Sequence, residues 1–167
     1  MKRNILFIFL MIASLGLMTG CDKDNANTSN GGILSTKKTL VCSKENTDEE
    51  GYKTLENMEV VYKGTKVLSV KSTSTSETDP SIINFTLNIG KAMADKFSEI
   101  DGIYMNYEKV ENNKIKITTE VDYKKIDINQ MKEKLGSLFS EEDSLYSKND
   151  ITIDEFKANN LEGYTCK

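Results

Sequence analysis

The sequence predicts an α+β domain: an antiparallel sheet of about five strands with one long and two short helices packed on one face. The clearest evidence is Lys114 to Tyr123. Ile115, Ile117, Thr119, Val121 and Tyr123 alternate there with Lys116, Thr118, Glu120 and Asp122. That period of two marks a strand with one buried and one wet face. A second observation is the pair of hairpin patterns, at residues 52–74 and 103–123. A third is the stretch between them, residues 80–100, whose apolar residues recur at spacings of three and four.

The chain has 167 residues and divides into three parts. Residues 1–20 read as a secretory signal peptide. Lys2 and Arg3 form a basic start, and Ile5 to Met18 is an apolar run broken only by Ser14 and Gly16. The run is short for a transmembrane helix, which needs roughly 20 apolar residues. Met18-Thr19-Gly20-Cys21 resembles a bacterial lipobox, with Met where Leu is more usual. That resemblance implies cleavage before Cys21 and diacylation of its thiol. Residues 21–37 read as the lipidated cysteine and a flexible tether, polar and without periodicity. A coil of that length spans about 20–25 Å. Ile33 and Leu34 leave open a short ordered contact. Asp22 follows the lipidated position, where in some double-membraned bacteria it directs retention in the inner membrane. Either way the chain is expected on the outer face of the plasma membrane.

Cleavage would leave 20 basic and 26 acidic residues, a net charge of −6. It would also remove Arg3, the one arginine; the chain has no histidine and no tryptophan. No imidazole is then present for base catalysis or metal ligation. No guanidinium can clamp a phosphate. An acidic exported domain does not suit nucleic acid. Residues 38–167 are expected to form a single domain with a real core.

Thr39 to Ser43 reads as a short strand and Glu45 to Gly51 as an acidic turn. Tyr52 to Tyr62 and Lys66 to Ser74 make a hairpin about Lys63-Gly64-Thr65. The Ser72–Ser76 run reads as a strand edge or a loop. Asp79-Pro80 opens the long helix, since Asp caps free amides and Pro suits the first helical position. Ile82, Phe85, Ile89, Met93, Phe97 and Ile100 are its apolar face. Gly90 weakens the helix by about 1 kcal/mol relative to Ala, and Gly102 stops it.

Ile103 to Val110 and Lys114 to Tyr123 form the second hairpin around Asn112-Asn113. Ile128, Met131 and Leu135 mark a short helix closed by Gly136. Residues 137–150 read as an acidic loop anchored by Leu138, Phe139, Leu145 and Tyr146. Thr152 and Glu155 then make a capping box, and Ile151 and Phe156 a hydrophobic staple, for the last helix.

Cys42 and Cys166 are two thiols in an exported chain, where disulfides persist. A bridge between them is the favoured reading. A redox or metal pair would lack CxxC spacing and a histidine, and free thiols are the remaining alternative. No carboxylate cluster has EF-hand spacing, so no metal and no cofactor is expected. No GxSxG or SxxK is present. Tyr104, Tyr107 and Tyr123 lie on the second hairpin and are the candidate ligand groove. Packing is the commoner role of such aromatics.

Several segments together are similar to the small bacterial lipoproteins of the YehR-like group. They are the lipobox, Thr39-Leu40-Val41-Cys42, the turn Tyr62-Lys63-Gly64-Thr65-Lys66-Val67, the run Val121 to Asp127, and Gly163-Tyr164-Thr165-Cys166. The resemblance implies a compact α+β domain with an antiparallel sheet. It brings no established activity and no catalytic residues. The expectation is therefore a non-catalytic binding module of the cell envelope, engaging a protein, peptide or small ligand through the wet face of the sheet or the loop at 137–150. The rivals are an accessory hydrolase using paired carboxylates and a purely structural envelope component.

Overall fold

The computed structural model describes residues 36–135 and 150–167. The signal segment, Cys21, the tether up to residue 35, Gly136 and the acidic loop through residue 149 lie outside the described residues. Strands β1 (Lys37–Thr47), β2 (Lys53–Lys63) and β3 (Lys66–Glu77) come first. Helix α1 (Ile83–Ser98), strands β4 (Ile103–Glu111) and β5 (Lys114–Asp122), helices α2 (Ile128–Leu135) and α3 (Ile153–Asn160), and strand β6 (Thr165–Cys166) follow. They form one antiparallel sheet in the order β4-β5-β3-β2-β1-β6.

The architecture is the predicted α+β class, with six strands among the described residues where about five were expected. The sixth is the two-residue β6, too short to show a sequence period. It adds to the outer edge of β1 through Cys42↔Cys166 and Ser43↔Thr165. Val41 and Lys167 close the pairing with two backbone hydrogen bonds, 3.1 and 2.9 Å. β1 itself runs well past the expected Thr39–Ser43. Glu45, Asn46 and Thr47 pair with Leu55, Thr54 and Lys53. Both faces are exposed there, so backbone pairing without burial extends the strand and leaves no hydrophobic signal.

The Ser72–Ser76 run is no edge. It lies in β3, between β2 and β5, with Ser72 opposite Met58 on one side and Thr119 on the other. Ser72, Ser74 and Ser76 share the inner face with Val70, while Thr73 and Thr75 share the outer face with Lys71. Thr54 Oγ1 donates to Ser76 Oγ at 3.1 Å. Short hydroxylated residues with good strand propensity suit a half-covered sheet, and the lack of large apolar residues hid the strand.

The long helix is present, but its buried face is rotated from the predicted one. Ile83, Leu87, Gly90, Ala94 and Phe97 face the sheet. Of the predicted stripe only Phe97 and Ile100 are buried, and Phe85 is 53 % exposed. Small residues decide the orientation. Gly90 lies against the ring of Tyr107, where a Cβ would sit 2.3 Å from Cδ1. Bringing the backbone that close to the sheet needs glycine, and the contact outweighs glycine's low helix propensity. The helix starts at Ile83 rather than Pro80. Asp79 Oδ1 accepts from the Ser81 amide (2.8 Å) in a preceding turn, and this hydrogen bond holds the Asp79 carboxyl below its usual range.

Gly102 turns the chain into β4 with φ +85°, and a Cβ there would meet Asp122 O and Ile126 N at 2.8 Å. α2 buries Met131 and is tied to the end of α1 by Lys134–Glu99, 2.9 Å, and by Asp101 N donating to Gln130 Oε1, 3.2 Å. The Thr152–Glu155 capping box forms at α3. Ile151 and Phe156 are both buried beside it. Val67 N donates to Ile151 O, and Ile153 N to Thr65 O, which docks this helix on the β2–β3 hairpin.

Cys42 and Cys166 are bonded as a disulfide across a sequence separation of 124 residues. Cys42 is buried among the core residues and Cys166 is exposed at the edge. The bridge fixes the C-terminal segment to β1 and constrains the unfolded chain by about 4–5 kcal/mol in the loop-entropy account.

Two stability measurements check this packing. Gly90→Ala should destabilise by about 1–2 kcal/mol, because overpacking against Tyr107 outweighs the better helix propensity of alanine. With Tyr107→Ala in place the same change should become neutral or stabilising. A stabilising Gly90→Ala in the wild-type background would contradict the close approach. Cys42→Ser should lower Tm by on the order of 10 °C under non-reducing conditions; an unchanged Tm would remove the bridge from the account.

Candidate functional site

The period of two puts alternate residues of four strands on the outer face, away from the helices. Pairing registers align them in rows. Glu59 stands opposite Lys71, Lys71 opposite Glu120, and Glu120 opposite Tyr104. Val41 extends this row on β1, opposite Glu59. The adjacent row carries Val61, Ser69 and Asp122. Asp122 N donates to Gly102 O at 2.7 Å, which seats the start of β4 beside β5.

These rows enclose an open, shallow depression of about 550 Å³. Its side chains include Glu59, Val61, Ser69, Lys71, Tyr104, Glu120, Asp122 and Lys125. Val70, Ile103 and Val121 also line it. Their side chains are buried on the other face, so they contribute backbone to the floor.

Four of the five charged groups in the depression are paired, and the fifth, Glu59, stands in register beside Lys71. Lys71 Nζ lies 2.6 Å from Glu120 Oε1, with both side chains about half exposed. The hydrogen bond and the charge of Glu120 raise the Lys71 ammonium above the ordinary lysine range. Lys125 Nζ lies 3.8 Å from Asp122 Oδ2. Asp122 Oδ1 accepts from the Lys124 amide at 3.1 Å. Pairs this exposed contribute little to stability. They place donors and acceptors side by side on the outer face of the sheet.

The three candidate tyrosines do not form one groove. Tyr104 is on the outer face and 49 % exposed, whereas Tyr107 is 4 % and Tyr123 2 % exposed within the core. Strand parity separates the first two, because residues three apart on a strand face opposite ways. Burial raises the Tyr107 hydroxyl above its ordinary range. Tyr107 is the surface on which Gly90 rests, and Tyr123 is a core residue next to the β5 terminus. Only Tyr104 remains available to a ligand. Lys71, Glu59 and Lys125 join the candidate site only through the structure. The alternation along β5 already put Glu120 and Asp122 on the wet face, but only the strand order β4-β5-β3-β2 reveals what stands beside them.

A second polar cluster surrounds the disulfide. Tyr164 donates its hydroxyl hydrogen to Glu56 Oε2. Burial and this hydrogen bond hold the phenol well above its ordinary range. Lys44 Nζ sits 5.6 Å from the centre of the Tyr164 ring and donates to Glu162 O at 3.2 Å. The group has every partner within the fold and clamps the C-terminal segment to β1 and β2. Among the described residues no group of three or more Cys, Asp or Glu is placed to hold a metal ion.

No family model and no curated protein matches the chain. Two solved structures are similar to it. One is the NMR structure of Escherichia coli YehR, with TM-score 0.56 and 18 % identity over 80 % of this chain and 93 % of that one. The other is the NMR structure of a protein from Streptococcus pneumoniae TIGR4, with TM-score 0.50 and 13 % identity over 91 % of this chain and 100 % of that one. At these identities the likeness is one of fold: this chain shares the α+β architecture of YehR, in agreement with the resemblance carried by its sequence motifs.

Proposed function

We propose that this chain is a lipid-anchored extracytoplasmic binding module, attached to the outer face of the plasma membrane through Cys21. The uncovered sheet face engages a component of the envelope. The observation that carries the reading is the asymmetry of the sheet. Helices α1 and α3 take one face, and the other presents the depression beside Tyr104 on rigid, in-register strands. An exposed aromatic ring among fixed polar groups is a feature of recognition surfaces. Lys71 stands in register between Glu59 and Glu120. A hydrolase of the paired-carboxylate kind needs two carboxylates facing a cleft, whereas Glu59 and Glu120 lie on an open sheet face with Lys71 between them.

Attachment by lipid fits the lipobox-like Met18-Thr19-Gly20-Cys21. Among the described residues no helix is long and apolar enough to cross a membrane. Cys21→Ser should release the protein from membranes, and retention of that variant after carbonate washing would refute the anchor. Binding is tested by a thermal-shift screen of the full chain against sugars, peptides, cell-wall fragments, lipids and divalent metals. A ligand at 100 times its Kd should add about 2.7 kcal/mol of stability. A shift abolished by substitutions at Tyr104 and Lys71 supports the outer face as the site; a shift indifferent to both contradicts it.

A further inference from the structure

The depression has a chemical preference that follows from its lining. Three carboxylates, Glu59, Glu120 and Asp122, and two ammonium groups, Lys71 and Lys125, share it. An anionic ligand would meet a net negative lining, and a cationic one would find two of the three carboxylates already tied to lysines. An apolar ligand would strip water from five charged groups with no compensating hydrogen bond. A neutral polyhydroxylated ligand brings no like charge and returns hydrogen bonds to the groups it desolvates. Each hydroxyl both donates and accepts, so it can bridge a lysine and a neighbouring carboxylate at once. The 2.6 Å Lys71–Glu120 pair offers both partners side by side.

Apolar contacts flank this polar centre. Tyr104 is 49 % exposed at the β4 side, and Val61 lines the β2 side. β2 and β4 are three strand spacings apart in the sheet order, a span of about 14 Å. An exposed ring at one end and a small apolar side chain at the other match the C–H faces of successive sugar rings. The span suits a short oligosaccharide rather than a single ring. The floor belongs to backbone of paired strands, so the surface is formed before any ligand arrives.

We infer that the depression is a saccharide subsite for neutral pyranose units of a glycan, with Tyr104 as the stacking platform and Lys71, Glu120, Glu59 and Asp122 as hydroxyl partners. The inference rests on the outer face being a binding surface, and it names the ligand class.

The test is NMR titration of the full chain in a zwitterionic, non-glycosidic detergent. The probes are chitotetraose, cellotetraose, and one acidic and one basic peptide. Either saccharide should shift the amides of residues 59–61, 69–71, 102–104 and 120–122 in a saturable way. Tyr104→Ala should weaken that binding roughly tenfold, and Tyr104→Phe should retain it, since the ring and not the hydroxyl is used. Tyr104 is exposed, so both variants should keep the wild-type spectrum elsewhere. Saccharide binding unaffected by Tyr104→Ala overturns the subsite. A peptide that shifts these amides while both saccharides leave them unmoved overturns the saccharide class and leaves the binding surface standing. Silence from all four probes overturns both.

Discussion

The structure depends on β3 being paired along both sides. From Ser69 to Ser76 each residue has a partner on β2 and another on β5. That double register joins the two hairpins into one sheet. It also decides which face every side chain takes, since a slip of one residue would invert the whole set. Val67 and Val70 turn inward to the core, and Lys71 turns outward between Glu59 and Glu120. The core and the outer depression are therefore two consequences of one alignment.

A steric constraint sets the helical layer on that sheet. α1 lies close to β4 because Gly90 leaves room for the Tyr107 ring. This contact rotates the helix, buries Ala94 and Leu87, and leaves Phe85 outside. It also commits Tyr107 to packing. At the opposite end of the sheet the constraint is covalent. Cys42–Cys166, with Tyr164 on Glu56, holds a two-residue strand that backbone hydrogen bonds alone would hold weakly. Helix packing and disulfide thus secure the two sides of a sheet whose middle is rich in serine and threonine.

Much of this was legible in the sequence. The alternation from Lys114 to Asp122, the glycine turn at Gly64 and the Thr152–Glu155 capping box are local patterns with local causes, and the structure forms each of them. What the sequence hid depends on partners distant along the chain. Ser72–Ser76 has no apolar signal, because its place in the middle of the sheet comes from neighbours on β2 and β5. The buried face of α1 could not be read from size alone, since a glycine and an alanine won over a stripe of larger residues. Only one of the three candidate tyrosines proved available, and parity already distinguished Tyr104 from Tyr107. Lys71 becomes a candidate site residue only through the strand order, which places it beside Glu120.

The outer face therefore owes its pattern to β3, and the most direct measurement is amide hydrogen exchange along that strand. A strand paired on both sides has every amide bonded, whereas an edge strand leaves alternate amides to water. Slow exchange is expected at every residue from Ser69 to Ser76, without alternation. Fast exchange at every second amide would show that β3 lies at an edge, and the register that assigns the core and the depression to opposite faces would be wrong.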